Sequence, residues 1–176
     1  MANKAVHKTT RKSKAPPKVV KLKDHVTVFS RTVQKSEVWV SEMHEELKWM
    51  DADGVYHLLK AVLQTFRDHL NTNEAAQLAA QLPLLLKGTF YECWDPKAER
   101  PKGLSKEEFL NDVRNKMGPN GEPNFDFEQG VLVALKVIMK HVSPGEIADV
   151  LGSLKPSLKI FFEKIDNYTS KDISLT

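Results

Sequence analysis

VYHLLKAVLQTFRDHLNTNEAAQLAAQLPLLLKGTF, residues 55–90, and FEQGVLVALKVIMKHVSPGEIADVLGSLKPSLKIFF, residues 127–162, carry one pattern twice. At a constant separation of seventy-two positions, with no gap, Leu63 meets Leu135, His69 meets His141 and Glu74 meets Glu146. Ala76 and Ala148, Leu82 and Leu154, Leu86 and Leu158, Lys87 and Lys159, and Phe90 and Phe162 pair in the same way. Most other partners agree in polarity, such as Val62 with Ala134, Phe66 with Ile138 and Leu78 with Val150. The fold class that follows is all-α: a tandem duplication of a roughly four-helix unit, packed as one globular bundle.

Within the first copy, Val55, Leu58, Leu59, Val62, Leu63, Phe66 and Leu70 recur at helical spacing. His57, Lys60, Gln64, Arg67 and Asp68 fall on the opposite side, which predicts an amphipathic surface helix. The second copy differs, because Val131 to Met139 is apolar nearly all round and predicts a central buried helix. Asn71 with Glu74 and Ser105 with Glu108 have the spacing of capping boxes. Ser143-Pro-Gly-Glu146 is the strongest such signal, with Pro144 placed for the first helical position. Ala75, Ala76, Ala79 and Ala80 predict a thin helix that a neighbour approaches closely, and Pro83 ends or kinks it.

Working outward, the helix carrying Phe109, Leu110, Val113 and Met117 answers the one carrying Trp39, Met43 and Leu47 at a separation of seventy. The change of two falls in Gly118 to Asn124, a loop, where insertions are tolerated. Val26 to Val33 alternates weakly, but with no second strand-like run to pair with it a helix entry or packed arm is expected. The expected organisation is a disordered basic arm over 1–25 and a duplicated helical domain over 26–167, ending in a frayed tail over 168–176. Repeat one occupies about 36–93, a linker about 94–104, and repeat two about 105–166.

Charge is divided unevenly. Lys4, Lys8, Arg11, Lys12, Lys14, Lys18, Lys21 and Lys23 all precede the first acid, Asp24. The remainder holds 18 basic against 23 acidic residues, a net of about −5. These eight cations are the candidate contacts to nucleic acid, a ribosome or another acidic partner. No aromatic side chain is interleaved among them to stack on bases, which weighs against nucleic acid. A solvated tail is the plain alternative.

One cysteine, Cys93, excludes an internal disulfide and any multi-cysteine metal site. It stands where the second copy has Ile165, which argues for a small buried apolar residue rather than a nucleophile. His69 and His141 each fall at the end of a long helix, where an imidazole gains from the helix dipole, and that structural role outweighs binding or acid-base work. Trp94, between the halves, is the aromatic best placed to touch a partner, although packing over the junction explains it as well. The chain contains no phosphate-binding glycine loop, no nucleophile elbow and no His/Glu spacing for a metal. No catalytic, metal-binding or cofactor-binding residue is assigned, and no cofactor is expected. No apolar run approaches a membrane span and the first residues hold no apolar signal core, so a cytoplasmic protein without a membrane partner is expected.

Four stretches carry a family resemblance: Phe29 to Lys35, Glu74 to Pro83, Tyr91 to Pro96 and Ser143 to Ile147. Over about Val26 to Lys164 the chain resembles the prokaryotic domain-of-unknown-function family 2267. The resemblance implies an all-helical tandem repeat with no established activity, cofactor or catalytic residue. Similar members carry Gly where Cys93 stands, which further weakens a cysteine mechanism.

The leading functional expectation is a non-enzymatic helical interaction module, using the groove between repeats or the basic arm. The alternative is an enzyme or small-ligand-binding protein whose pocket between the halves is lined by Trp94, His69 or His141. A homo-oligomer is left open by the sequence.

Overall fold

The computed structural model describes residues 27–98, 105–118, 126–152, 154 and 156–171, the side chains of 163, 164 and 166–171 excepted. The basic arm, most of the linker and the end of the tail lie outside the described residues. Those described form eight helices and no strand: α1 (Thr27–Glu46), α2 (Ala52–His69), α3 (Thr72–Gln81), α4 (Leu84–Tyr91), α5 (Lys106–Met117), α6 (Phe127–His141), α7 (Pro144–Gly152) and α8 (Pro156–Lys171). The starts of α3 and α7, the starts of α4 and α8, and the ends of α2 and α6 are each separated by the seventy-two positions of the sequence pattern.

Local chemistry places these boundaries. Asp51 caps α2 by accepting from Gly54 N–H at 2.7 Å. A side chain at Gly54 would put its Cβ 2.9 Å from that same carboxylate oxygen and from Met50, so both side chains would have to shift. Both predicted capping boxes, Asn71 with Glu74 and Ser105 with Glu108, are closed in both directions. The Ser143 signal is weaker than its sequence suggests, since Ser143 Oγ accepts from Glu146 N–H at a long 3.4 Å. Prolines open α7 and α8, where a missing N–H costs nothing, and Pro83 separates α3 from α4.

The core runs along α2 and α6, which pack on each other. α2 also meets α1, α4 and α5, while α6 meets α1 and α8. Phe66, Phe109 and Phe162 form its aromatic centre, with Phe66 5.2 Å from Phe109 and 5.7 Å from Phe162 between ring centroids. α6 is the buried helix the sequence predicts. α2 is not the predicted surface helix, because Ala61 through Arg67 are all buried. Gln64 and Arg67, placed by sequence on a solvent face, instead face α4 and spend their donors on its last carbonyls: Gln64 Nε2 donates to Thr89 O at 2.9 Å, and Arg67 Nη1 donates to Phe90 O at 2.5 Å and Glu92 O at 2.8 Å. The end of a short helix leaves such carbonyls open, and a buried guanidinium fills the need.

Three further expectations change. Of the two alternatives for Val26 to Val33, a helix entry or a packed arm, the helix holds from Thr27, so that α1 begins nine residues before the predicted Ser36. The backbone stays helical to Lys171, past the expected fraying point at Asn167. Cys93 is exposed rather than buried, because α4 stops at Tyr91 and Cys93 takes φ +55° just beyond it. That left-handed position after a helix is the one glycine fills without strain.

Candidate functional site

The two repeated histidines are used alike. Each is the last residue of its helix, and each reaches the first helix of the opposite half. His69 Nε2 lies 2.7 Å from Asp112 on α5, and His141 Nε2 lies 2.8 Å from Glu42 on α1. Glu42 and Asp112 are themselves seventy positions apart, the separation that relates α1 to α5. The pairing is therefore crossed: first-half histidine to second-half acid, and the reverse. In both ties Nε2 goes to an acid of another helix and not to an end carbonyl of its own, the role its position suggested.

More charge surrounds each tie. Lys140 Nζ also donates to Glu42, at 2.8 Å. Burial raises the Glu42 carboxyl, but the bonds from Lys140 and His141 outweigh it and hold the group below its ordinary range. In the first half Asp68 accepts from Arg67 Nε at 2.7 Å and from Lys116 Nζ at 2.6 Å. Burial again raises it and the two cations again prevail, leaving it low. Lys136 reaches Glu46 at 2.9 Å, a third link between α6 and α1. Glu146, by contrast, is pushed up by burial and by the negative charges of Asp149 and Glu74. The repeated glutamates thus meet where α3 packs on α7, and Glu146 Oε1 is buried there without a hydrogen-bond partner.

The two ties differ in surroundings. The His69 side chain is only 6% exposed, and its Nδ1 is buried without a partner. The His141 side chain is 25% exposed and stacks on Trp39, with ring centroids 4.8 Å apart and planes 17° from parallel. Beside that stack lies an open cleft of about 240 Å³, lined by Lys35, Val38, Trp39, Gln81, Pro83 and His141. Deeper in, between α2–α3 and α6–α8, an apolar gap of about 10 Å³ lies against Phe66, Leu135, Ile138 and Phe162.

Of the three candidate pocket residues, His141 alone lines the cleft. His69 is closed off at α5, and Trp94 is half-buried against the core, 5.0 Å from the Tyr91 ring. Lys4, Lys8, Arg11, Lys12, Lys14, Lys18, Lys21 and Lys23 lie outside the described residues. Sequence reading passed over Lys35, Trp39 and Gln81. A signal did exist, since Lys35 and Gln81 to Pro83 belong to stretches that carry the family resemblance. Among the described residues no group of three or more His, Cys, Asp or Glu is placed to hold a metal ion, and no helix is long and apolar enough to cross a membrane.

A second surface feature stands on α1. Its core-facing stripe of Ser36, Trp39 and Met43 continues backward at helical spacing through Thr32 to Phe29 and Val28. There the stripe emerges from the body: Val28 is 57% exposed, Phe29 61% and Val33 40%. Arg31 and Lys35 flank it.

A family model described as "Uncharacterized conserved protein (DUF2267)" matches residues 36–161. That match spans well over half of the 176 residues, and the chain belongs to this family. No curated protein matches it.

Proposed function

We propose that the protein is a non-enzymatic helical interaction module that docks an acidic protein surface through the first turns of α1 and the basic residues before them. The observation carrying this reading is the apolar stripe of α1 that outruns the body, ending in exposed Val28, Phe29 and Val33. A surface helix normally buries such a stripe, so one left open fits a partner. Charge selects the kind of partner. Ten cations and a single acid, Asp24, precede Glu37. A second copy meeting the first face to face would bring two such basic segments together and be repelled, whereas an acidic amphipathic helix or groove complements both charge and apolar face. The polar residues of the long helices support a module rather than an enzyme, because the repeated His69 and His141, and Arg67 beside them, are spent on ties between helices.

The test uses an acidic amphipathic helical peptide rich in Glu and Leu as probe, beside duplex DNA, RNA and ribosomes in co-sedimentation across a salt series. Docking on this face predicts peptide binding that weakens with salt, weakens when residues 1–23 are deleted, and weakens again in Phe29→Ser. Nucleic-acid or ribosome binding that vanishes with the arm yet ignores Phe29→Ser would replace this partner with a phosphate backbone. Peptide binding unchanged by both variants would remove the surface altogether.

A further inference from the structure

We propose that the cleft between α1, the α3–α4 junction and the end of α6 binds a small organic carboxylate with a flat apolar body. This site shares α1 with the docking face, Lys35 flanking both, but Phe29 does not line it and its ligand belongs to another class. Three of its six lining residues are apolar: Trp39 is fixed in the core, Pro83 is locked at a helix junction, and half-exposed Val38 forms the rim. A volume of about 240 Å³ lies below the roughly 300 Å³ at which drug-sized pockets begin, which suits a compact metabolite-sized molecule.

Charge assigns the head group. Lys136 and Lys140 on α6 are both engaged by acids of α1, but Lys35 has no ion-pair partner among the described residues and lines the opening. Glu42, the nearest acid to His141, is already met by Lys140 and His141, so its negative charge is offset. The imidazole is held in place by Glu42 on its edge and Trp39 on its face, a planar surface prepared before any ligand arrives. Gln81 adds an amide that can donate to a carboxylate oxygen. One influence opposes an anion: α3 ends at Gln81 and α6 at His141, and helix C-termini favour positive charge. An ammonium ligand is therefore the competitor that the experiment must separate.

The matched construction in the other half strengthens the inference. There the histidine ring is only 6% exposed while its acid, Asp112, is 42% exposed, so the tie itself does not require the ring to open onto a cleft. The cleft beside His141 therefore belongs to the surroundings of that ring rather than to the tie.

Benzoate and phenylacetate are the probes, with benzylamine and inorganic phosphate as comparison arms, titrated into the full chain and followed by the ring resonances of Trp39 and His141. The site predicts saturable shifts with the aromatic carboxylates, and a loss of affinity of about tenfold in Lys35→Gln, the weight of one charge-assisted bond. Lys48→Gln, an exposed change on the loop after α1, should leave binding unaltered. Absence of saturable shifts at millimolar probe, benzoate binding undiminished in Lys35→Gln, tighter binding of benzylamine, or equal binding of bare phosphate would each overturn the proposal. Lys35 is exposed, so its variant keeps the fold and the result reads binding alone.

Discussion

His69 and His141 end matching helices, bond matching acids across the two halves, and yet live in different settings. The first is shut against α5 with one ring nitrogen unpartnered, while the second stacks on Trp39 and opens onto a cleft. The contrast separates what the tie does from what the surroundings do. Crossing the bonds, first half to second and second to first, makes each half depend on the other for closing its long central helix. Opening one setting to solvent leaves that dependence intact and adds a surface. Packing is served twice, and binding, on the reading above, once.

The sharpest way to break this comparison is to make the halves alike. Seventy-two positions after Arg67 the second half has Met139, so Arg67→Met imports the apolar solution into the first. The change removes two bonds donated to the end of α4 and a third to Asp68, and Phe90 O lies in a fully buried residue. We expect a loss of about 3 kcal/mol in denaturant-induced unfolding, in keeping with an orphaned buried network. A loss below about 1 kcal/mol, the worth of one ordinary hydrogen bond, would show that the guanidinium is incidental.

Arg67 also marks where sequence reading stopped. Capping residues located the starts of α3, α5 and α7 closely, because helix starts are local events written in Asn71, Ser105 and Pro144. The fate of a polar face is not local. Gln64 and Arg67 read as solvent-facing until the last carbonyls of α4 are brought against them, and that approach depends on tertiary packing. The crossed ties show the same limit: adjacent residues could be inspected around each histidine, but Asp112 lies forty-three positions from His69 and Glu42 ninety-nine from His141. Lys35, Trp39 and Gln81 likewise converge only once α1 is laid beside α3 and α6.

A smaller effect grades the two ties themselves. His69→Ala empties a closed site and should cost about 2 kcal/mol, as a buried side chain of that size does. His141→Ala removes a partly exposed ring and one aromatic stack, for about 1 kcal/mol. Chemical denaturation of the two variants in parallel measures the ordering. Equal losses would mean that the closed and open settings are energetically the same.

Acidity sharpens the contrast further, through two carboxylates shifted in opposite directions. Glu42 sits below its ordinary value, so the folded state binds fewer protons there than the unfolded chain and its stabilisation fades as pH falls through the range below 4.5. Glu146 sits above that value, so the folded state binds more protons and its contribution declines as pH rises through the range above 4.5. Between acid and neutral pH, Glu42→Gln should therefore grow progressively less stable relative to the parent, and Glu146→Gln progressively more stable. Parallel pH curves for the two variants would contradict the placement of Glu146 beside Glu74 and Asp149.

The smallest difference concerns Cys93 and its counterpart Ile165. Ile165 is 4% exposed within α8, where a side chain packs and the backbone is ordinary helix. Cys93 stands outside α4, exposed, at φ +55°, a conformation that strains any residue bearing a Cβ. Matching positions thus demand opposite chemistry, because α4 ends at Tyr91 while α8 continues. Cys93→Gly relieves the strain and loses no buried contact. It should raise stability by about 0.5–1 kcal/mol, less than the full left-handed penalty because glycine also frees the unfolded chain. Ile165→Gly, carrying the same substitution into the second half, should instead cost several kcal/mol through a lost core side chain and a weakened helix. Thermal unfolding of both variants tests the divergence: a Cys93→Gly protein less stable than its parent would mean that the thiol contributes packing its exposure does not suggest.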